Sequence, residues 1–222
     1  MRYRLPAILI ISGLIASTSV DAAEVIIGDS IGVGLSMASG ARSLAHNSVA
    51  IRGGDTMSQL ARVTRGDIGV LSLGTNDAVG TLAGVGAAID RLVGGIEKSG
   101  VRIIWMGPPC VLKKWNVNVE RLDRALRERL QSTSITYVSV ADQAICDRSL
   151  RAPDGVHFNM RGYATLWSRV AAVGGFPEHV KGGAKAPVLK KRLSKKKRKV
   201  ETDRSLPVHG MSIDKQEAGG RS

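Results

Sequence analysis

The sequence is short of residues that hold metals. It has two cysteines and four histidines, with neither a Cys-x-x-Cys pair nor a cluster of histidines at ligand spacing. No metal site and no cofactor is therefore expected. After residue 23 it lacks any apolar stretch long enough to cross a bilayer, and it shows no repeat of fixed period. It also lacks the length for two comfortable domains. At 222 residues and 43% apolar, one sizeable core is the expectation.

What is present begins with a leader. Arg2 and Arg4 precede the apolar stretch LPAILIISGLIASTSV, and small residues follow it at Ala22 and Ala23. Residues 1–23 read as a secretory signal peptide cleaved after Ala22 or Ala23. The stretch is short for a spanning helix, which needs about 20 apolar residues. An exported protein, periplasmic or extracellular, is expected. In an oxidising compartment an even cysteine count invites a disulfide.

The net charge of +13 is unevenly spread. Residues 24–180 carry 17 basic and 14 acidic side chains, whereas residues 181–222 carry 13 and 4. The basicity is thus mostly a tail, with KKRLSKKKRKV at 190–200 as its densest run. The tail has no apolar periodicity and holds Pro187, Pro207 and two Gly-Gly pairs. That composition reads as a disordered extension suited to an anionic polymer or membrane surface. Nucleic acid is not the expected partner: the KKKRKV stretch resembles a nuclear import signal, but an exported chain does not meet the import machinery.

Between these ends, β-rich runs at 24–28, 48–51, 68–74, 101–107 and 135–140 alternate with helical patterns. The clearest helix is VNVERLDRALRERLQ, where Val119, Leu122, Leu126 and Leu130 recur at three- and four-residue spacing. Helices are also expected at 81–98, ended by Gly100, and at 160–173. Strand and helix in alternation imply βαβ units and a parallel sheet covered on both faces. In such a sheet, ligands gather beyond the carboxyl ends of the strands. Those ends carry Gly28-Asp29-Ser30, Arg52-Gly53-Gly54-Asp55-Thr56, Gly74-Thr75-Asn76-Asp77 and Gly107-Pro108-Pro109-Cys110, and the fifth strand leads on to DGVHFNMRGY.

Chemistry can be assembled on that rim. A serine hydroxyl attacks an ester only when a base takes its proton and a third group orients the base. His157 is the histidine expected on the rim, because His46 falls near the amino end of a strand and His179 and His209 lie near or in the tail. Asp154, three residues before His157, is within reach of its imidazole. Donors for a developing oxyanion are the N–H groups of Ser30 and Gly54 and the side-chain amide of Asn76. Asp29 and Asp77 read as turn and helix-cap residues that bond local N–H groups. Gly32 and Gly34 read as keeping the first helix slim beside the site.

Taken together, GDS at 28–30, GGDT at 53–56, GTND at 74–77 and DGVH at 154–157 resemble the four sequence blocks of the SGNH, or GDSL-type, esterase and lipase family, in order. The resemblance covers nearly all of 24–173. It implies Ser30 as nucleophile, His157 as base, Asp154 as its orienting carboxylate, and Ser30, Gly54 and Asn76 as oxyanion donors. Gly54 is chosen because it directly precedes Asp55-Thr56, with Gly53 as the alternative. Ile31 stands where many members have Leu. The fold implied is a flavodoxin-like three-layer α/β/α sandwich on a five-stranded parallel sheet of order 2-1-3-4-5. In that order the fourth and fifth strands are neighbours, so Cys110 and Cys146 are expected to pair.

The domain expected over 24–180 is then an exported serine esterase without a cofactor, acting as a monomer. Its substrate is an ester-bearing small molecule, glycan or lipid. The absence of long insertions leaves little chain for a lid or a deep acyl tunnel, which favours short acyl groups such as acetate, on cell-envelope glycans among other carriers. Lys113, Lys114 and Trp115 border the expected pocket. A lysophospholipase or thioesterase stays open as an alternative, and so does a non-catalytic binding module held to anionic surfaces by its tail.

Overall fold

In the computed structural model, which describes residues 22–176, the apolar run Glu24–Gly28 forms the inner strand β1. All but Ala22 and Ala23 of the segment read as signal peptide, and the whole basic tail at 181–222, lie outside the described residues. After β1 come α1 (Ser30–Ser39), β2 (Arg42–Ser43), α2 (Asp55–Leu60), β3 (Ile68–Ser72), α3 (Thr75–Ala78) and α4 (Val85–Ser99). The chain continues through β4 (Arg102–Met106), α5 (Asn116–Leu130), β5 (Thr136–Val138), a 3-10 turn at Arg148–Leu150, and α6 (Met160–Gly174). The strands pair in parallel in the order β2-β1-β3-β4-β5. This is the flavodoxin-like sandwich that the sequence led one to expect.

The layers follow from side-chain alternation along each strand. Val25 and Ile27 of β1, Leu71 of β3, and Ile103 and Trp105 of β4 enter one core, packed with Leu60 of α2, Ile89 and Leu92 of α4 and Leu122 and Leu126 of α5. Ile26, Val70, Ile104 and Met106 turn to the opposite face, against Leu35 of α1 and Leu166, Trp167 and Val170 of α6. Strands buried on both faces must be apolar throughout, and β3 is buried at all five positions. Helix α5 buries Val119, Leu122, Leu126 and Leu130, the stripe its spacing implies.

The second strand differs from expectation. The run 48–51 does not pair, and β2 forms instead at Arg42–Ser43, aligned with Val25 and Ile26. The backbone of 48–51 is engaged elsewhere: the Val49 carbonyl accepts from the Asn76 amide (2.8 Å), the Ile51 N–H donates to Asp77 (2.8 Å), and the Ala50 carbonyl accepts from Gly53. An edge strand exposed on both sides, as Arg42 and Ser43 are, has no apolar alternation by which to announce itself. His46 consequently lies after β2 rather than at a strand's amino end, and its N–H donates to the Gly28 carbonyl (3.1 Å). Its ring is exposed and contacts the Asn47 carbonyl.

Candidate active site

Ser30 opens α1 immediately beyond the carboxyl end of β1, where Gly28 has φ +118°. Asp29 caps the helix: its Oδ1 accepts from the Ile31 N–H (3.0 Å) and from the Ser72 hydroxyl (3.2 Å). Asp29 is fully buried, and Oδ2 has no partner among the described residues. Burial pushes its carboxyl up to about 6 against the hydrogen bonds that favour the charged form. Gly28 is fastened from α2, since the Gln59 amide takes its N–H (2.5 Å) and donates to its carbonyl (3.2 Å). The serine therefore sits on a backbone held from two directions.

Across the rim, the loop before α6 brings His157 to Ser30, with 2.9 Å between Nε2 and Oγ. The other ring nitrogen meets Asp154, 2.6 Å from Nδ1 to Oδ2. With Nδ1–H donating to the carboxylate, Nε2 is left to accept the Ser30 proton. Asp154 Oδ1 accepts from the N–H groups of Val156 and His157 (both 2.9 Å), which closes the loop on itself. Partial burial would raise the Asp154 carboxyl, but the His157 ring and these two N–H groups outweigh it and hold the carboxyl at about 2. It is a carboxylate at any pH at which the protein would work.

The remaining candidates are brought to the same rim. Gly54 is the N-cap of α2, and its N–H has no acceptor among the described residues, whereas Gly53 donates its own to Ala50. Asn76, in α3, spends one amide hydrogen on the Val49 carbonyl, which leaves the second free. Asp77 does not cap its own helix as the sequence suggested. It is fully buried and reaches across to the Ile51 N–H and the Arg52 guanidinium (3.2 Å), latching the Gly54 loop to the Asn76 helix. Cys110 and Cys146 form a disulfide with Cα atoms 5.3 Å apart. Gln59, Ser72 and Arg151, all part of this scaffold, are not legible in the sequence: Gln59 and Ser72 act on groups far along the chain, and Arg151 joins nearby carbonyls to that of Cys110, 41 residues away.

A hydroxyl backed by an imidazole, itself backed by a carboxylate, is equipped for attack on a carbonyl carbon. About two fifths of the His157 side chain and half of the Asp154 side chain are exposed, so the pair faces open solvent.

A family model described as GDSL-like lipase/acylhydrolase matches residues 26–165. No protein of curated function matches the sequence significantly. Among solved structures, an SGNH hydrolase from Slackia heliotrinireducens superposes with TM-score 0.54 at 16% identity, covering 68% of this chain and 98% of its own. A psychrotrophic esterase from Pseudoalteromonas, described as inhibited by monoethylphosphonate, gives 0.54 at 11% identity, covering 68% and 96%. An acetyl-xylooligosaccharide esterase from Geobacillus gives 0.52 at 17% identity, covering 73% and 97%. At these identities the superpositions speak for the fold, and the sequence match, over more than half of the chain, speaks for the family. The chain belongs to the GDSL-like lipase/acylhydrolase family, the SGNH hydrolases that cleave ester bonds.

Proposed function

We propose that this protein is an exported short-acyl esterase, an O-deacetylase of glycans, working through an acyl-enzyme on Ser30. The observation that carries the reading is the unbroken relay Asp154 to His157 to Ser30, at 2.6 and 2.9 Å. His157 takes the Ser30 proton as Oγ attacks the ester carbonyl. The oxyanion rests on the N–H groups of Ser30 and Gly54 and on the free amide hydrogen of Asn76. His157 then protonates the leaving alcohol. Water, deprotonated by His157 in turn, attacks the acyl-enzyme, and collapse of the second tetrahedral intermediate returns Ser30 and the free acid. Asp154 stays ionised throughout and steadies the imidazolium.

The short-acyl reading is supported by the exposure of the His157–Asp154 pair, which suits an acyl group borne on a bulky exposed carrier. A glycan carrier is in keeping with the acetyl-xylooligosaccharide esterase among the fold relatives. Export rests on the leader composition of residues 1–23, and the basic run at 190–200 is read as attaching the enzyme to an anionic surface.

The test is a fluorophosphonate probe followed by an ester panel. Labelling of the wild type and its loss in Ser30→Ala are expected, with turnover of p-nitrophenyl acetate falling on the order of 10⁶-fold. Absence of labelling in a folded wild type would leave the binding-module reading. Preference for long-chain p-nitrophenyl esters over acetate and acetylated glycans would replace deacetylase by lysophospholipase or thioesterase.

A further inference from the structure

The loop that bears Asp154 and His157 is half exposed, yet it must hold an imidazole at hydrogen-bonding distance from a serine on a different element, 127 residues away in the chain. Arg151 stands at its root. The Arg151 side chain is 7% exposed and makes no ion pair among the described residues. Its guanidinium instead donates to three carbonyls from three segments. One is Val156, inside the loop (2.9 Å); the second is Ile145, after β5 (2.7 Å); the third is Cys110, after β4. Its carbon centre lies 3.7 Å from the centroid of the Phe158 ring, the residue next to His157.

A cation buried without a counter-ion is costly, and this one shows it: desolvation pulls the guanidinium down to about 10, with Tyr163 and Asp154 as the charged or titratable groups that favour its protonated form. Nε is buried with no partner among the described residues. An aliphatic side chain would fill the space without that penalty but would leave three carbonyls without a donor. The planar fork is the feature a lysine cannot copy.

We propose that Arg151 is a positioning residue for ester hydrolysis: it fastens the loop carrying Asp154 and His157 to the loops after β4 and β5, and so sets where the imidazole stands relative to Ser30. The Cys110–Cys146 disulfide ties two of those segments to each other; Arg151 ties both to the loop. The one other backbone tie from the loop to the post-β4 segment is Leu112 N–H to the Gly155 carbonyl (2.8 Å). The inference rests on the reading of His157 as the base.

It is tested by measuring kcat and KM for p-nitrophenyl acetate in the wild type, Ser30→Ala, Arg151→Met and Arg151→Lys, with thermal melts of each. A displacement of the base by about 1 Å costs on the order of 10²-fold in turnover. Arg151→Met is expected to lose about that much in kcat with KM within about twofold, and Arg151→Lys, with charge but no fork, to lose about tenfold. A folded Arg151→Met with wild-type kcat overturns the proposal. If Arg151→Met does not fold, wild-type kcat in Arg151→Lys overturns it equally. A rise in KM alone, with kcat kept, also overturns it. Failure of the underlying reading looks different: the wild type would then show no turnover that Ser30→Ala abolishes, and both proposals would fall together.

Discussion

At the scale of single residues, Asp29 has an unusual position for a carboxylate: fully buried beside the proposed nucleophile, with one oxygen bonded twice and the other without a partner among the described residues. Its carboxyl is raised from 3.8 to about 6. The folded state therefore keeps a proton that the unfolded chain releases above about pH 4. The stability this contributes is complete below that pH and lost as the pH rises through about 6, a difference of about 3 kcal/mol. Asp29→Asn, which cannot titrate, is expected to flatten the stability curve across this window. Urea midpoints of both proteins at about pH 4 and pH 7 check it; a wild-type midpoint that does not fall between them would contradict the raised value. The sequence marked Asp29 as a cap, which it is, but burial and the Ser72 contact depend on β3, far along the chain.

At the scale of elements, the rim is assembled by side chains that each bind another element's backbone. Gln59 of α2 holds both polar groups of Gly28, Asn76 of α3 holds Val49, and Asp77 holds Ile51 and Arg52. Asp77→Ala removes a buried carboxylate and leaves the buried Ile51 N–H without an acceptor, a loss of about 2–3 kcal/mol. Because the same latch ties the loop of Gly54 to the helix of Asn76, the two proposed oxyanion donors, kcat for p-nitrophenyl acetate is expected to fall about tenfold or more. Chemical denaturation together with steady-state kinetics measures both, and a stability loss without a kinetic one would show that the latch does not position the donors. These contacts also account for the misplaced second strand. The run 48–51 reads as β by composition, but its N–H and carbonyl groups are claimed by Asp77, Asn76 and a local turn. Local propensity could not weigh partners from α3.

At the scale of the whole molecule, the three-layer fold gathers residues from 28 to 157 onto one rim because every strand is parallel and every crossover returns to the same edge. The Cys110–Cys146 disulfide, closing a separation of 36 residues, joins the loops after β4 and β5. In the chain-entropy model such a loop is worth about 3–4 kcal/mol. Reduction followed by alkylation is expected to lower the melting temperature by several degrees and leave the far-ultraviolet spectrum native below it; an unchanged melt would show that the bond adds nothing. The two cores flanking the sheet carry the rest of the stability, and Trp105, wholly buried in one of them, also donates its indole N–H to the Leu73 carbonyl (3.3 Å) at the root of the Asn76 block.

By itself the sequence determined the alternation of strands and helices, the four blocks at the strand ends and, through them, the family. Such patterns are local: apolar periods of two and 3.6, and short runs of small polar residues, survive being read one stretch at a time. Only the tertiary structure decided which edge strand pairs with β1, that Asp77 reaches across to another loop rather than capping its own helix, and that a buried arginine, without a counter-ion among the described residues, stands behind the Asp154–His157 loop. Each of those depends on a partner distant in sequence, and hydrogen bonds between distant groups leave no period along the chain. A side chain such as Arg151 looks, in one dimension, like any other basic residue on a loop. Its meaning comes from the three carbonyls and the ring that fold around it.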